Sequence, residues 1–243
     1  MKIFGLIGYP LGHSFSKDYF TKKFLDENIK NCSYQNFEIE SLDDFKSLIN
    51  LQTNLSGLNV TIPFKEKIIN NLDQVDDIAK EIGSVNVIKI IDNKLVGYNS
   101  DYLGFKYTLE KWLPNRSFNA LVLGSGGSSK AICFVLKELG IDFEIVSTSN
   151  PSLLSYDDII ERDIYIKNKL IINTTPLGMY PDVNSYPKIQ YDYLDKNSFL
   201  YDLVYNPRLT TFLAMAQERG SKIKNGLEML EAQADESWNI WNK

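Results

Sequence analysis

The chain has 243 residues, of which 44% are apolar and 23% are charged, and its formal net charge is −5. This composition is typical of a soluble globular protein, and an acidic balance without a run of Lys or Arg argues against nucleic acid as a partner. The single histidine, His13, excludes a zinc site built on several histidine ligands. Cys32 and Cys133 stand far apart, which favours reduced thiols over a disulfide or a metal motif.

The first predicted element is an almost continuous apolar run over residues 3–8. Such a run is typical of a strand that is buried on both faces of a parallel sheet. It is too short for the hydrophobic region of a signal peptide and for a membrane span. We therefore expect a cytoplasmic protein without a membrane partner.

Predicted strands and helices alternate along the rest of the chain. Ser16 is the expected N-cap of the first helix, and Ser41 with Asp44 resembles a capping box at the start of the second. Asp92 and Asn93 favour a hairpin turn between two strands. The predicted strands cover residues 34–38, 57–62, 85–91, 94–98, 120–123, 143–147, 169–173 and 199–202, and the predicted helices cover residues 17–27, 42–52, 65–82, 101–112, 131–139, 209–219 and 226–241. Asn70 and Asn71 favour a break in the helical region over residues 65–82.

This alternation predicts an α/β fold with parallel sheets and right-handed crossovers. A polar break at Pro114, Asn115 and Arg116 has the character of a hinge. The chain length suits two units of about a hundred residues each. We therefore expect a two-lobed protein.

Residues 57–65 contain the first candidate site. Alternation along the predicted strand places Asn59 and Thr61 on one of its faces. Pro63 ends the strand and suits the first turn of a helix, which puts Lys65 at the carboxyl end of the strand, where open α/β sheets bind ligands. Taken alone, the segment is more typical of a solvated edge strand followed by a surface lysine.

A glycine-rich segment between a strand and a helix is the clearer local signal, because this is the context of a dinucleotide-binding fingerprint. Gly124 allows the tight turn, Gly126 lets the backbone approach a pyrophosphate, and Ser129 takes the third small position. The alternative is a turn that binds nothing. The full segment is Gly124, Ser125, Gly126, Gly127, Ser128 and Ser129.

Two later strand ends bear on the same site. The strand after the glycine segment ends at Ser147 and Thr148, with neither an acidic residue for the ribose hydroxyls nor an Arg for a 2′-phosphate, so the residues leave NAD against NADP open. Asn173, Thr174 and Thr175 follow another strand and are placed to wall the nicotinamide. The alternative is an ordinary turn.

Asp101 begins a predicted helix, and the helix macrodipole alone would explain a carboxylate there. The functional interpretation pairs Asp101 with Lys65. A neighbouring carboxylate favours the lysine ammonium and burial favours the neutral amine, so a lysine balanced in this way can give and take a proton at a substrate oxygen.

Several separated motifs occur in a fixed order along nearly the whole chain. They are Gly8-Tyr9-Pro10, His13-Ser14-Phe15-Ser16, Asn59-Val60-Thr61-Ile62-Pro63-Phe64-Lys65, Gly83-Ser84-Val85-Asn86, Gly97-Tyr98-Asn99-Ser100-Asp101, the Gly124 segment, Asn173-Thr174-Thr175-Pro176-Leu177-Gly178-Met179, Tyr201-Asp202-Leu203-Val204-Tyr205, and Asn225-Gly226-Leu227-Glu228-Met229-Leu230 with Gln233. Together they resemble the shikimate dehydrogenase family. The resemblance implies reversible hydride transfer between NADPH and 3-dehydroshikimate, which gives shikimate in the pathway to chorismate and the aromatic amino acids.

The resemblance also implies domains and roles. A substrate-binding α/β domain would comprise residues 1–100 and 227–243, and a Rossmann-type dinucleotide-binding domain residues 101–226. Lys65 would be the proton donor and acceptor, oriented by Asp101. The implied substrate contacts are Ser14, Ser16, Asn59, Thr61, Asn86, Asp101, Tyr205 and Gln233. The implied cofactor contacts are the Gly124 segment, Ser147, Thr148, Asn173, Thr174, Thr175, Leu203, Gly226 and Asp77. A monomer and a homodimer both remain open.

One departure from the family pattern concerns the cofactor. Many members carry Asn-Arg-Thr where this chain has Ser147, Thr148 and Ser149, and that Arg grips the 2′-phosphate of NADP. An NAD-using quinate or shikimate dehydrogenase is therefore the first alternative. The second is a regulatory protein that binds shikimate without a cofactor, although the intact Gly124 segment and the Lys65–Asp101 pair argue against it.

Overall fold

A computed structural model describes residues 1–12, 15–113 and 118–243, so the polar break at Pro114, Asn115 and Arg116 lies outside the described residues. The chain divides into two compact units. The first unit comprises Met1–Leu103 and Glu231–Lys243, and the second unit comprises Gly104–Leu230. Each unit is built around one sheet, and the α/β fold class predicted from the sequence is confirmed.

The first unit contains a six-stranded sheet in the order β2-β1-β3-β5-β6-β4. Its strands are β1 Lys2–Gly8, β2 Cys32–Glu38, β3 Leu55–Val60, β4 Gln74–Val75, β5 Val87–Ile91 and β6 Lys94–Tyr98. Its helices are α1 Phe15–Asp26, α2 Leu42–Leu51 and α3 Asp77–Ile82, together with the start of α4 Asp101–Trp112 and most of α8 Leu227–Asn242.

This first sheet is mixed, because antiparallel strand pairs occur beside the predicted parallel ones. β3 pairs with β5, and β5 with β6, in antiparallel fashion. The β5–β6 pair is the predicted hairpin, which is confirmed: Asp92 and Asn93 have φ of 49° and 62°, as a two-residue turn between right-twisted strands requires. The capping box of α2 is confirmed as well, because Ser41 and Asp44 bond each other's backbone N–H.

The helical region predicted over residues 65–82 breaks after Asn71, as Asn70 and Asn71 favour, but it also contains a strand that the sequence does not predict. A short 3₁₀ helix at Lys67–Asn71 is followed by β4 and then by α3. The Asp73 backbone N–H donates to the Leu95 carbonyl at 3.0 Å, and the Leu95 N–H donates to the Asp73 carboxylate at 2.7 Å. Pairing with β6 therefore overrides local helix propensity, and Asp76 caps α3 as a new helix.

Two further expectations about local structure are corrected. β3 is not a solvated edge strand, because it lies between β1 and β5 and buries Leu58, Val60 and Asn59. Ile62, which lies beyond the end of the strand, is exposed. Ser16 is not an N-cap, because α1 begins at Phe15 and Ser16 lies inside the helix.

Helix α8 packs on the sheet of the first unit through an aromatic cluster. The Trp241 ring lies 4.8 Å from the Phe4 ring, and its indole N–H donates to the Ile88 carbonyl at 3.0 Å. A side chain on Gly57 would overlap the Trp241 indole, so this close approach depends on glycine. The packing fixes the side chains of α8 against β3 and β5.

The second unit contains a five-stranded, fully parallel sheet in the order β11-β10-β9-β7-β8. Its strands are β7 Ala120–Leu123, β8 Phe143–Val146, β9 Leu170–Asn173, β10 Phe199–Asp202 and β11 Lys222–Lys224. Its helices are α5 Gly127–Glu138, α6 Arg162–Lys167 and α7 Thr211–Glu218, with the remainder of α4 and the start of α8. No described helix is both long and apolar enough to cross a membrane.

Candidate active site

Lys65 and Asp101 form an ion pair in the first unit. Lys65 lies in the turn after β3, where its carbonyl accepts the Val85 N–H at 2.8 Å. Its Nζ donates to Asp101 Oδ2 at 2.6 Å, and the two side chains are only 15% and 8% exposed. A charge pair this far removed from water persists only when its remaining polar atoms are hydrogen-bonded.

Asn86 supplies that second contact to Asp101. Its Nδ2 donates to Asp101 Oδ1 at 2.8 Å, which leaves Oδ2 facing Lys65. The Ser100 backbone N–H donates to Asn86 Oδ1 at 2.6 Å and thereby fixes which side of the amide faces the carboxylate. The start of α4 and the start of β5 are thus held together around one carboxylate.

Gln233 reaches the same cluster from α8. Its Oε1 accepts from Asn86 Nδ2 at 3.3 Å and from Ser100 Oγ at 3.2 Å. Ser237, one helical turn later, donates to the Gln233 carbonyl at 2.8 Å and lies 3.1 Å from Ser100 Oγ. Neither Ser100 nor Ser237 is among the site residues predicted from the sequence, although Ser100 adjoins Asp101 and Ser237 shares a helix face with Gln233.

The remaining substrate contacts predicted for the first unit are only partly described. Asn59 is buried and donates to Ser237 Oγ at 2.9 Å, so it belongs to the same network. Thr61 follows β3 and is half-buried, with its backbone N–H on the Ile7 carbonyl at 2.9 Å. Ser16 is half-buried in the first turn of α1, and Ser14 lies outside the described residues.

The glycine segment of the second unit connects β7 to α5. Gly124 has φ of +110°, and a Cβ there would lie 2.6 Å from Thr174 Oγ1, so glycine is required on both counts. Gly126 is the N-cap of α5, and a Cβ there would meet no atom within 4 Å. Gly127 and Ser128 begin the helix, and Ser129 is buried at 2% exposure. The space beside the Gly126 backbone is therefore open, as the close approach of a phosphate to a helix N-terminus requires.

Ser147 organises the turn after β8. Its hydroxyl lies 2.8 Å from Ser125 Oγ, in the glycine segment, and accepts the backbone N–H groups of Ser149 and Asn150 at 3.2 Å each. The side chain of Thr148 is left exposed at the tip. This geometry places a hydroxyl, and no charged side chain, at the position that meets the adenosine ribose in dinucleotide-binding folds.

Asn173 links the ends of β9 and β10. Its Nδ2 donates to Asp202 Oδ1 at 2.9 Å, and its Oδ1 accepts from the Thr175 hydroxyl at 2.6 Å. Its carbonyl accepts the Leu203 N–H at 2.9 Å. A side chain on Gly226 would overlap the Leu203 carbonyl, so the chain there also requires glycine. The Thr174 hydroxyl donates to the Leu123 carbonyl at 2.8 Å, so the carboxyl ends of β7, β9 and β10 are joined by hydrogen bonds.

Burial raises the pKa of the Asp202 carboxyl from 3.8 to about 6, against hydrogen bonds from Thr210, Val204 and Asn173 that lower it. Between pH 4 and pH 6 a carboxyl whose pKa rises on folding is protonated more fully in the folded state than in the unfolded state. Its contribution to stability therefore falls as the pH rises from 4 to 6. The difference between the two values corresponds to about 3 kcal/mol.

We expect Asp202→Asn to remove this pH dependence. Relative to the variant, the wild-type free energy of unfolding should be up to about 3 kcal/mol larger at pH 4 than at pH 7. Urea unfolding of both proteins at pH 4, 5, 6 and 7 measures the difference. Parallel profiles would show that Asp202 does not titrate in this range.

The chain matches the model of the shikimate dehydrogenase substrate binding domain over residues 6–88. It is 36% identical to shikimate dehydrogenase (NADP(+)) of Methanococcus aeolicus over 256 residues, which cover 99% of this chain and 91% of the relative. The crystal structure of shikimate dehydrogenase 1 from Peptoclostridium difficile is 35% identical, with a TM-score of 0.89, over 100% of this chain and 92% of that one.

A third similar protein has been solved with ligands bound. The structure of shikimate 5-dehydrogenase from Thermus thermophilus in complex with NADP(H) and shikimate is 27% identical, with a TM-score of 0.87. The match covers 99% of this chain and 93% of that one. The motif order in the sequence agrees with three findings. They are the 36% identity to a curated relative, the match to the domain model and the shared fold. The chain belongs to the shikimate dehydrogenase family.

Proposed function

We propose that this protein is an NADP-dependent shikimate dehydrogenase, which reversibly reduces 3-dehydroshikimate to shikimate in the biosynthesis of chorismate and the aromatic amino acids. Family membership supports the reaction. The observation that carries the mechanism is the 2.6 Å ion pair between Lys65 and Asp101, enclosed by the amides of Asn86 and Gln233.

In this proposal the first unit binds the substrate. Asn86, Asp101, Gln233 and Thr61 face the ring hydroxyls, since amides and carboxylates suit a polyol. Ser16 and Ser14 donate to the substrate carboxylate. Tyr205, a half-buried residue of the second unit, is a further proposed substrate contact that rests on the resemblance alone.

NADPH, when bound, would supply the hydride for the carbonyl carbon. Lys65 gives its proton to the carbonyl oxygen, so the carbonyl is reduced to a secondary alcohol and the lysine is left as a neutral amine that is reprotonated from solvent. Asp101 holds the ammonium in position. Placing the proton donor before reaction begins lowers the barrier through orientation.

The second unit holds the cofactor in this proposal. The segment from Gly124 to Ser129 and the first turn of α5 bind the pyrophosphate, and Ser147 and Thr148 meet the adenosine ribose. Asn173, Thr174 and Thr175 line the nicotinamide site with Leu203 and Gly226. Asp77, an exposed residue at the start of α3, is a proposed cofactor contact on the resemblance alone.

Gly126→Ala should weaken cofactor binding without weakening the fold. The added methyl meets no protein atom within 4 Å, but it enters the space proposed for the pyrophosphate, so we expect the NADPH KM to rise about tenfold and the substrate KM to stay constant. Gly140→Ala is the matched control, because φ of +67° makes it costly to the fold, at about 1 kcal/mol, with no effect on KM. An unchanged NADPH KM in Gly126→Ala would place the pyrophosphate elsewhere.

Thr148→Arg should strengthen NADPH binding, because the exposed Thr148 stands where many relatives carry the phosphate-gripping Arg. We expect the NADPH KM to fall about tenfold. The NADH KM is the internal control and should not fall, since NADH lacks the 2′-phosphate. An unchanged NADPH KM would show that another group already holds that phosphate.

The reaction itself is tested with the purified protein, shikimate and NADP⁺. We expect NADPH to accumulate at a rate proportional to enzyme, and its absence at saturating substrates would contradict the proposal. A cytoplasmic location and a small-molecule ligand without a nucleic-acid partner belong to the same proposal. The mass of the protein in solution decides between a monomer and a homodimer.

A further inference from the structure

The side chain of Asn59 has no donor left for a ligand. A primary amide carries two N–H hydrogens, and Asn59 Nδ2 gives them to Ser237 Oγ at 2.9 Å and to the Asn86 carbonyl at 3.3 Å. Its Oδ1 accepts the Tyr34 hydroxyl at 2.8 Å. Asn59 is also only 5% exposed.

Asn86 offers a useful contrast within the same unit. Its Nδ2 lies within hydrogen-bond distance of three acceptors, Asp101 Oδ1, Ser100 Oγ and Gln233 Oε1, at 2.8, 3.0 and 3.3 Å. Two hydrogens cannot serve three acceptors fully, so a ligand oxygen can replace the longest of these bonds. Asn59 has no such surplus, because each of its hydrogens has one acceptor.

Tyr34 fixes the orientation of the Asn59 amide. It is 4% exposed, and its ring stacks on Phe20 with centroids 4.5 Å apart and planes at 14°. Burial raises the pKa of the Tyr34 hydroxyl, whereas a hydrogen bond from Ser16 lowers it. The hydroxyl therefore stays protonated near neutral pH and can donate a hydrogen bond. A donor at this place requires that Asn59 present its oxygen to Tyr34 and its nitrogen to Ser237.

We propose that Asn59 and Tyr34 are positioning residues: the buried Tyr34–Asn59–Ser237 chain of hydrogen bonds orients the substrate-facing amides of Asn86 and Gln233, and neither Asn59 nor Tyr34 touches the substrate. The identity of the ligand rests on the proposed function. The assignment of Asn59 as a direct substrate contact, which the resemblance implies, is thereby replaced by an indirect role.

The bonds explain how the effect is transmitted. Asn59 Nδ2 bonds the carbonyl of Asn86, whose side chain holds Asp101. It also bonds Ser237, which donates to the Gln233 carbonyl one turn away on α8. Because one amide ties two substrate-facing residues together, its loss should disturb several substrate contacts at once and not a single hydroxyl.

Tyr34→Phe tests the positioning role of Tyr34 with little change in packing, because it removes the hydroxyl that orients both Asn59 and Ser16, and the variants of Asn59 and Ser237 below isolate the Asn59 branch. We expect the shikimate KM to rise about three- to tenfold, as for the loss of one buried hydrogen bond, with the NADP⁺ KM unchanged. Tyr19→Phe is the matched control: it removes a hydroxyl that bonds Asp235, also on α8, and should lower stability without moving the shikimate KM. An equal shikimate KM in Tyr34→Phe and Tyr19→Phe would overturn the proposal.

Asn59→Ala separates positioning from direct contact. Calorimetry would give the affinity of wild type and variant for shikimate and for each of its monodeoxy analogues. If Asn59 is a positioning residue, its replacement should weaken the affinity for every ligand by the same factor, to within about twofold. A loss that disappears for one analogue alone would show that Asn59 contacts the deleted hydroxyl, and it would overturn the proposal.

Ser237→Ala applies the same logic if Asn59→Ala does not fold. Its matched control is Ser84→Ala, since Ser84 is equally buried at 0% exposure and its hydroxyl has no hydrogen-bond partner among the described residues. We expect the shikimate KM to rise in Ser237→Ala alone, and equal values would contradict the proposal. Failure of the proposed function is distinguishable, because the wild-type protein would then bind no shikimate.

Discussion

Lys65→Ala should lower kcat for 3-dehydroshikimate reduction about a thousandfold, the range typical of a lost general acid, and leave the substrate KM within about threefold of wild type. The reason is that Lys65 is proposed to act on charge that develops at the carbonyl oxygen during hydride transfer, and not on the bound ground state. Steady-state kinetics with both substrates varied measures the two constants separately.

Lys67→Ala is the matched control, because Lys67 is an exposed lysine two residues away in the 3₁₀ helix. It should keep wild-type kinetics. If Lys65→Ala keeps kcat near wild type while KM rises, Lys65 is a binding residue and the proposed proton transfer is wrong.

Asp101→Asn should lower kcat about a hundredfold and raise the substrate KM several-fold. The amide keeps the size of the carboxylate, but it leaves the Lys65 ammonium without its counter-charge at a site where the lysine side chain is only 15% exposed. It also places an N–H₂ group against either Asn86 Nδ2 or Lys65 Nζ, where the carboxylate accepts a hydrogen bond from each. Kinetics and thermal unfolding of the same preparation provide the two readouts.

A variant of a second acidic residue, Asp44, distinguishes a catalytic role of Asp101 from a role in helix stability. Asp44 lies in the first turn of α2, where its carboxylate completes the capping box. Asp44→Asn should lower the free energy of unfolding by about 1 kcal/mol and leave kcat unchanged. If Asp101→Asn behaves in the same way, Asp101 only stabilises the start of α4, which is the structural alternative that the sequence leaves open.

Elements with strong local signals could be predicted from the sequence. The turn at Asp92 and Asn93, the capping box at Ser41 and the start of α4 at Asp101 each depend on residues within a few positions of one another. The short strand β4, inside the predicted helical region over residues 65–82, could not be predicted, because it results from pairing with β6, which follows about twenty residues later.

The candidate site shows the same division. Lys65 and Asp101 could be paired from motif order, and the structure brings them within 2.6 Å. The roles of Tyr34 and Ser237 could not be predicted, since their bonds to Asn59 join residues 25 and 178 positions apart. Burial of the polar face of β3 likewise depends on α8, which lies at the far end of the chain.

The protein is proposed to oxidise shikimate with NADP⁺. Initial rates with the four pairs of shikimate or quinate and NADP⁺ or NAD⁺, measured on one preparation, test it most directly. We expect the highest kcat/KM for shikimate with NADP⁺. A higher value for quinate with NAD⁺ would contradict it and would assign the exposed Thr148 to a cofactor site that does not select for the 2′-phosphate.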